Sequence, residues 1–209
     1  MPHLRYSILF FITIATYVFA ENKIETTQLI NSNKNIINQA AVTFNIDKNI
    51  LKSVIYAERT LNFDWFDKAL DTPTALKGYN SSIGFCQVKM KTAYWIEVQL
   101  SDSTSEFYPG KQYQNILPVS KSPREIITKL QIDSLNICYA AAYLKIIQNY
   151  WQKAGFSIKN RPDILGTLYS TGLFNRKGKI RRPNANPQAN AFGKKAKEAY
   201  QSFPKVNCN

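Results

Sequence analysis

Glu58 is the side chain of this sequence whose type and spacing most clearly suggest chemistry. On a helix it would follow Val54 by four residues and Leu51 by seven, so the three side chains would share one apolar stripe. Arg59 would project about 100° away around the same helix. We therefore expect desolvation to raise the pKa of the Glu58 carboxyl, and a carboxyl that stays protonated near neutral pH is suited to general-acid catalysis. The other interpretation is a glutamate solvated at a fraying helix end, and spacing alone does not choose between the two.

The scarcity of histidine narrows the mechanisms that are open to the chain. His3 is the single histidine among 209 residues, and it lies in a stretch that we expect to be removed. Without histidine, Ser-His-Asp and Cys-His mechanisms and histidine-ligated zinc sites are excluded. Proton transfer then falls to carboxylate, tyrosine, lysine or cysteine side chains. We accordingly expect neither a metal ion nor a cofactor.

Three further motifs follow Glu58 along the chain. A turn-rich stretch leads into Gly84-Phe85-Cys86-Gln87, where glycine lets backbone approach a ligand and glutamine can both donate and accept hydrogen bonds. A helical stretch then carries Asn136-Ile137 and Tyr143-Leu144, and the next one ends in Tyr169-Ser170-Thr171-Gly172. Each motif is weak alone, because tyrosines at such positions are ordinarily amphipathic core residues.

Together with Glu58-Arg59, the order and residue types of these motifs resemble the lysozyme-like lytic transglycosylases of the soluble (SLT) kind. That family has a catalytic glutamate at a helix end, usually followed by serine, then Gly-Leu-Met-Gln, a helix with Asn-Ile and Tyr-Leu, and finally Tyr-Asn-Ala-Gly. The resemblance covers about residues 46–175. The chain departs from the pattern with Arg59 for serine, Cys86 for methionine, Ala140 for glycine, and Ser170-Thr171 for Asn-Ala.

The resemblance implies cleavage of the β-1,4 bond between N-acetylmuramic acid and N-acetylglucosamine in peptidoglycan. Glu58 would protonate the leaving oxygen and then act as base on the muramoyl 6-hydroxyl, which closes a 1,6-anhydro ring. The serine that Arg59 replaces helps to orient the site in the family, so this departure bears on efficiency or substrate detail. Gln87 and Tyr169 would bind sugar and hold Glu58 in place, and Phe85 and Tyr143 would line the groove. The implied substrate-binding set is Gln87, Tyr169, Gly84, Phe85, Tyr143 and Gly172.

Two other functions remain open. A hydrolase like the goose-type lysozymes would need two carboxylates, about 5–5.5 Å apart for retention or about 6.5–9.5 Å for inversion. Asp64, Asp67 and Asp71 follow Glu58 and could supply the second one, although they equally suit solvated loop positions. The other alternative is a non-catalytic wall-binding protein, which the altered motif residues and the basic composition favour.

The elements that must position these residues are predicted to be helices nearly throughout. The pattern predicts a mostly α domain over residues 46–209, preceded by an N-terminal helical segment at 21–45. The resemblance implies that the domain over 46–209 is a lysozyme-like catalytic domain. Residues 63–83 are predicted to form a loop with room for a small β-hairpin beside the site, and no prediction is made for 98–121. Helices are predicted after a capping Asp47, after Ser122-Pro123, over about 133–153, from Pro162 to near Gly172, and after Pro187.

Residues 1–20 are typical of a signal peptide. His3 and Arg5 precede an uncharged, mostly apolar stretch over 8–20, and an uncleaved membrane anchor is the alternative. The formal charge of +13 at pH 7 favours an anionic partner, which outside the cytoplasm is the cell envelope rather than nucleic acid. We expect a periplasmic or secreted protein whose partners are peptidoglycan glycan strands, with an envelope secretion machine as a further option and no nucleic acid.

The chain contains Cys86, Cys138 and Cys208. An odd number in an oxidising compartment is consistent with one disulfide and one free thiol. Three pairings are possible, and the sequence does not choose among them.

Overall fold

A computed structural model describes residues 23–61 and 81–204 of the chain. The described part is mostly helical and contains one small antiparallel sheet. The mostly α prediction is therefore confirmed. The elements are α1 (23–32), α2 (Lys34–Thr43), α3 (Lys48–Leu61), β1 (Ser82–Ile83), β2 (Val88–Lys89), α4 (Met90–Ser101), a 3-10 turn (Lys111–Tyr113), α5 (Pro123–Gln131), α6 (Asp133–Lys153), α7 (Pro162–Thr171) and α8 (Ala191–Ser202).

The predicted helix starts are confirmed by their capping hydrogen bonds. The Asp47 carboxylate accepts a hydrogen bond from the Asn49 amide at 2.7 Å, at the beginning of α3. The Ser122 hydroxyl accepts from the Glu125 amide at 3.3 Å, and the Glu125 carboxylate accepts from the Lys121 amide at 2.9 Å. These short-range bonds need no tertiary context, which is why a sequence pattern suffices to locate them.

Helix α6 is the centre of the domain, as its apolar composition predicts. Side chains on several faces of the helix are buried, among them Ile137, Ala141, Leu144 and Ile147. It contacts α2, α3, α4, α5 and α7. The N-terminal helical segment adds to the same core, because Ile30 and Ile37 are buried in the cluster that α6 organises.

Helix α8 packs across α3 and α7 in the most extensive helix contacts of the described part. A close approach makes this packing possible, because a Cβ atom at Gly193 would overlap the carbonyl oxygen of Asp163. The Asn190 side chain begins the helix by accepting from the Gly193 amide at 2.8 Å. Helix α8 therefore fixes the orientation of α3, the helix that ends with Glu58 in its last turn.

The small sheet is a hairpin in which Ser82 pairs with Lys89 and Ile83 with Val88. The sequence predicts room for a hairpin within residues 63–83, whereas the observed hairpin spans 82–89 and overlaps that range only at Ser82 and Ile83. Gly84 begins its turn with φ at +77°. Asp64, Asp67 and Asp71, which were considered as second carboxylates, lie outside the described residues.

Cys86 and Cys138 are both free thiols. No disulfide joins these two residues, and Cys86 is fully buried within the hairpin turn. The signal peptide predicted at 1–20 and the third cysteine, Cys208, lie outside the described residues. Within residues 23–61 and 81–204, the helices are too short or too polar to cross a membrane.

Candidate functional site

A cleft of about 820 Å³ opens between α3, the hairpin, α4, α6 and the segment that follows α7. Five of the residues assigned to the site from the sequence line it: Glu58, Gln87, Tyr143, Tyr169 and Gly172. These five residues are far apart in the sequence, so the cleft forms only when the domain is folded. Its remaining lining includes Lys89, Trp95, Tyr139, Ser170 and Phe174.

Glu58 lines this cleft from the last turn of α3. Its exposed fraction is 7%, and Leu51 and Val54 on the same stripe are fully buried. The prediction that Glu58 shares an apolar, buried stripe is therefore confirmed, and the solvated alternative is excluded. Among the described residues that line the cleft, Glu58 is the single carboxylate. This arrangement suits a carboxyl that transfers a proton to a bound molecule.

The hairpin turn presents Gln87 to the cleft. Gln87 adopts φ of +50°, a left-handed conformation that is uncommon for a residue with a side chain. Its amide nitrogen donates to the Gly84 carbonyl at 3.1 Å. The amide oxygen and the second N–H remain oriented by this bond, which makes Gln87 suited to bind a polar group of a ligand.

Asn136 holds the turn in place from the first turn of α6. Its amide nitrogen donates to the carbonyls of Ile83 and Leu130, each at 2.8 Å, and its oxygen accepts from the Cys86 amide at 2.7 Å. A Cβ atom at Gly84 would overlap both Asn136 and the Leu130 carbonyl. Asn136 and Gly84 thus act together, because the absence of a side chain at Gly84 makes room for the Asn136 amide.

The resemblance implies that Gly84 and Phe85 bind the substrate. The structure corrects this, because neither residue lines the cleft. Gly84 is needed for the contact with Asn136, which is internal to the protein. Phe85 is 5% exposed and stacks beneath the Arg59 guanidinium, 4.9 Å from the ring centroid. Both residues shape the turn that carries Gln87, and the residue types alone do not distinguish such a role from direct binding.

Arg59, the most prominent departure from the family pattern, also supports this turn. Its Nη1 donates to the Phe85 carbonyl at 3.2 Å. Burial lowers the pKa of Arg59, and the negative charges of Glu25 and Asp133 partly counteract that effect. Arg59 therefore stabilises the hairpin turn from α3, while the preceding residue on the helix faces the cleft.

Two phenols complete this part of the site. The Tyr169 hydroxyl donates to the Cys86 carbonyl at 2.9 Å, and the rings of Tyr143 and Tyr169 lie 5.8 Å apart. Burial raises the pKa of Tyr169 well above its usual range, and the charge of Glu58 adds to the shift. Burial raises the pKa of Tyr143 to about 12, although a hydrogen bond with the Leu173 backbone and the charge of Arg181 oppose the shift. Both side chains are consequently neutral hydrogen-bonding groups at physiological pH.

Sequence reasoning missed the groups that α4 contributes. Trp95 lines the cleft and makes edge-on contacts with Tyr143 and Phe174, each with ring centroids 6.0 Å apart. Glu97 is fully buried and accepts hydrogen bonds from Tyr139 and from the Ser120 amide, the latter at 2.7 Å. The spacing Met90, Ala93, Ile96, Leu100 is a helical signal that could have located this element.

Glu97 follows Ala93 by four residues and Met90 by seven, so its spacing resembles that of Glu58. Lys129 forms an ion pair with Glu97 at 3.2 Å. That partner comes from α5, so it is visible only in the fold. The pairing indicates that Glu97 anchors α4, α5 and α6 to one another rather than exchanging protons with a ligand.

No model of a known protein family matches the chain, and a search of curated proteins likewise finds no match. The class of the protein is therefore defined by its own fold and site. It is a mostly helical domain with a two-stranded hairpin, and its cleft is lined by a buried glutamate, the amide of Gln87 and three tyrosines.

Proposed function

We propose that the chain is a lysozyme-like lytic transglycosylase that cleaves the β-1,4 bond between N-acetylmuramic acid and N-acetylglucosamine in peptidoglycan. The observation that carries the proposal is the placement of Glu58: a carboxyl, 7% exposed, lines the same cleft as Gln87 and Tyr169. These are the three residues that the motif resemblance assigns to the acid and to sugar binding. They lie far apart in the sequence and meet at one place in the fold.

The reaction needs one carboxyl in two successive roles. Glu58 begins protonated and donates its proton to the glycosidic oxygen as the bond to the muramoyl C1 breaks. The resulting carboxylate then accepts the proton of the 6-hydroxyl, whose oxygen bonds to C1 and closes the 1,6-anhydro ring. Glu58 is thereby returned to its protonated state, and no water is consumed. The neutral phenol of Tyr169 and the amide of Gln87 can hold sugar hydroxyl and acetamido groups without competing for this proton.

The test compares the wild-type protein with Glu58→Gln on purified peptidoglycan, with products identified by mass spectrometry. We expect the wild type to release muropeptides one water lighter than hydrolysis products. The amide has no proton to transfer, so the variant should lose at least about 100-fold in rate. The matched control is Glu106→Gln, because Glu106 is exposed and lies outside the cleft lining.

Each of the other outcomes contradicts a defined part of the proposal. Products with hydrolysed reducing ends would favour the goose-type-like lysozyme, with Asp64, Asp67 or Asp71 as the second carboxylate. Sedimentation with intact wall that releases no fragments, and that Glu58→Gln leaves unchanged, would favour the non-catalytic wall-binding protein. Equal losses in Glu58→Gln and Glu106→Gln would show that neither residue is specific to the reaction.

We further propose that the protein is exported and that residues 1–20 are removed. The charge pattern of this stretch and the small Ala20 at its end support the proposal. After expression in a bacterium with a cell envelope, N-terminal sequencing of the exported protein should begin at Glu21. A chain that retains Met1 and sediments with membranes would indicate an uncleaved anchor instead.

A further inference from the structure

The segment after α7 forms a short hairpin with a strongly basic surface, which we call the basic hairpin (residues 173–182). Phe174 and Ile180 form its bridge, and the Arg181 amide donates to the Leu173 carbonyl at 2.7 Å. The tip is turned by Gly178, with φ at +73°. Its five exposed cations are Arg176, Lys177, Lys179, Arg181 and Arg182.

These cations are not used for ion pairs within the described part of the chain. The four ion pairs found there involve Lys129 (twice), Arg161 and Lys195. The sequence itself has no carboxylate between Asp163 and Glu198. Backbone hydrogen bonds fix the position of the basic hairpin, and its positively charged side chains are exposed on the surface.

The basic hairpin lies beside the cleft. Leu173 and Phe174, at the base of the basic hairpin, line the cleft, and the charge of Arg181 acts on the cleft phenol Tyr143. A second cation reaches the cleft from another element, since Lys89 at the end of β2 is exposed and lines it as well. A ligand that occupies the cleft thus meets positive charge from two separate parts of the chain.

We propose that the basic hairpin, together with Lys89, binds the carboxylates of the stem peptides carried by the glycan strand. This inference rests on the proposed function and names the form of the substrate that the cleft prefers. Each muramoyl lactyl group bears a peptide with free carboxylates, which project from a strand bound near Glu58. Arginine binds carboxylates with two parallel hydrogen bonds, and three of the five hairpin cations are arginines. Strands that keep their peptides should therefore bind more tightly than strands stripped by an amidase.

The experiment measures binding in the Glu58→Gln background, so that the strands are not cut. Soluble glycan strands with and without stem peptides are compared at low salt. We expect the peptide-bearing strands to bind about fivefold more tightly, because several exposed charge pairs each contribute modestly. Adding K177Q/K179Q/R182Q to this background should reduce the preference to about twofold, because Arg176, Arg181 and Lys89 remain. The matched control is K34Q/K111Q/K159Q, which removes the same charge from exposed lysines outside the cleft lining and should keep the preference.

Three results would overturn the inference. The first is equal binding of both kinds of strand by the parent protein, and the second is an equal loss of preference in the control. The third is a hairpin variant that keeps its strand preference but no longer binds vesicles containing anionic phospholipid, which would assign the basic hairpin to a membrane surface. Binding preference is independent of cleavage, so a preference in a protein whose wild type cuts no strand would reject the enzymatic proposal and leave this inference standing.

Discussion

Asn136 shows how one buried amide can determine the shape of a site that it does not enter. It satisfies three backbone groups of the hairpin turn and of α5, and its exposed fraction is 0%. In the sequence it belongs to the Asn136-Ile137 pair on which the proposed resemblance partly rests, and a side chain that is polar on a buried helix face predicts a hydrogen-bonding role. The partners themselves could not be predicted, because two of them come from the turn about 50 residues earlier.

We expect Asn136→Ala to reduce the free energy of unfolding by about 3 kcal/mol, because it leaves three buried backbone groups without partners. The comparison is Asn149→Ala on the same helix, where a partly exposed amide makes one bond to the Tyr108 carbonyl at 3.0 Å. That variant should lose less than about 1 kcal/mol. Urea denaturation of both variants measures the difference. Similar losses would show that the three hydrogen bonds of Asn136 stabilise the fold no more than the single bond of Asn149.

The buried phenol of Tyr143 makes the stability of the fold depend on alkaline pH. An unfolded tyrosine ionises near a pKa of about 10, whereas burial raises the pKa of Tyr143 in the folded protein to about 12. The folded state holds this proton more tightly, so the contribution is complete below about pH 10 and is lost as the pH rises toward about 12. The loss is on the order of 1.4 kcal/mol per pH unit in that window.

Urea denaturation at about pH 9 and about pH 11 should therefore show a smaller decline for Tyr143→Phe than for the wild type, by about 1 kcal/mol. Tyr94→Phe is the control, since Tyr94 is 46% exposed. A decline of the same size in wild type and Tyr143→Phe would mean that the phenol ionises equally easily in the folded and unfolded chain.

At the scale of elements, α3 and α5 could be predicted from their caps and α7 from Pro162 at its start, whereas α4 has neither signal. The starts of α3 and α5 follow from Asp47 and Ser122, whose side chains accept from nearby amides. Helix α4 has no side-chain cap and begins directly after β2, and residues on several of its faces are buried. Its turn-by-turn pattern is weak for that reason, although it supplies Trp95 and Glu97. The hairpin could be anticipated from turn residues, but its contact with α6 could not.

The turn of that hairpin offers a prediction about a single glycine. Gly84 and Gly155 both have a positive φ, at +77° and +86°. A Cβ atom at Gly84 would overlap Asn136 and the Leu130 carbonyl, whereas one at Gly155 would have no atom within 4 Å. Gly155→Ala should cost about 1 kcal/mol for the left-handed backbone alone. Gly84→Ala should cost about 2 kcal/mol more, because the overlap displaces the turn.

Thermal unfolding of both variants measures this difference, and it has a consequence for the site. Displacement of the turn moves Gln87, so Gly84→Ala should also weaken binding of glycan strands, whereas Gly155→Ala should not. Equal melting temperatures for the two variants would show that the turn tolerates a side chain and that the packing against Asn136 is loose.

At the scale of the whole molecule, charge and packing act separately. The core is organised by α6 and could be predicted from apolar periodicity, because burial on several faces leaves a recognisable composition. The crossing of α8 over α3 and α7 could not, since it depends on the absence of a side chain at Gly193 opposite the Asp163 carbonyl. The excess of positive charge could be counted from the sequence, but its concentration beside the cleft required the fold.

This excess predicts opposite salt effects on stability and on binding. The chain carries a formal charge of +13, and the described part contains four ion pairs, so repulsion among cations outweighs their attraction to carboxylates. Raising sodium chloride from about 0.05 M to about 0.5 M screens exposed charges, because the Debye length falls well below about 10 Å. The melting temperature should rise by a few degrees, while affinity for isolated peptidoglycan falls. In K34Q/K111Q/K159Q the rise in melting temperature should be smaller, since less repulsion remains to be screened. A melting temperature that falls with salt would mean that ion pairs dominate the stability of the fold, and an affinity that salt leaves unchanged would mean that the cations beside the cleft do not contact the wall.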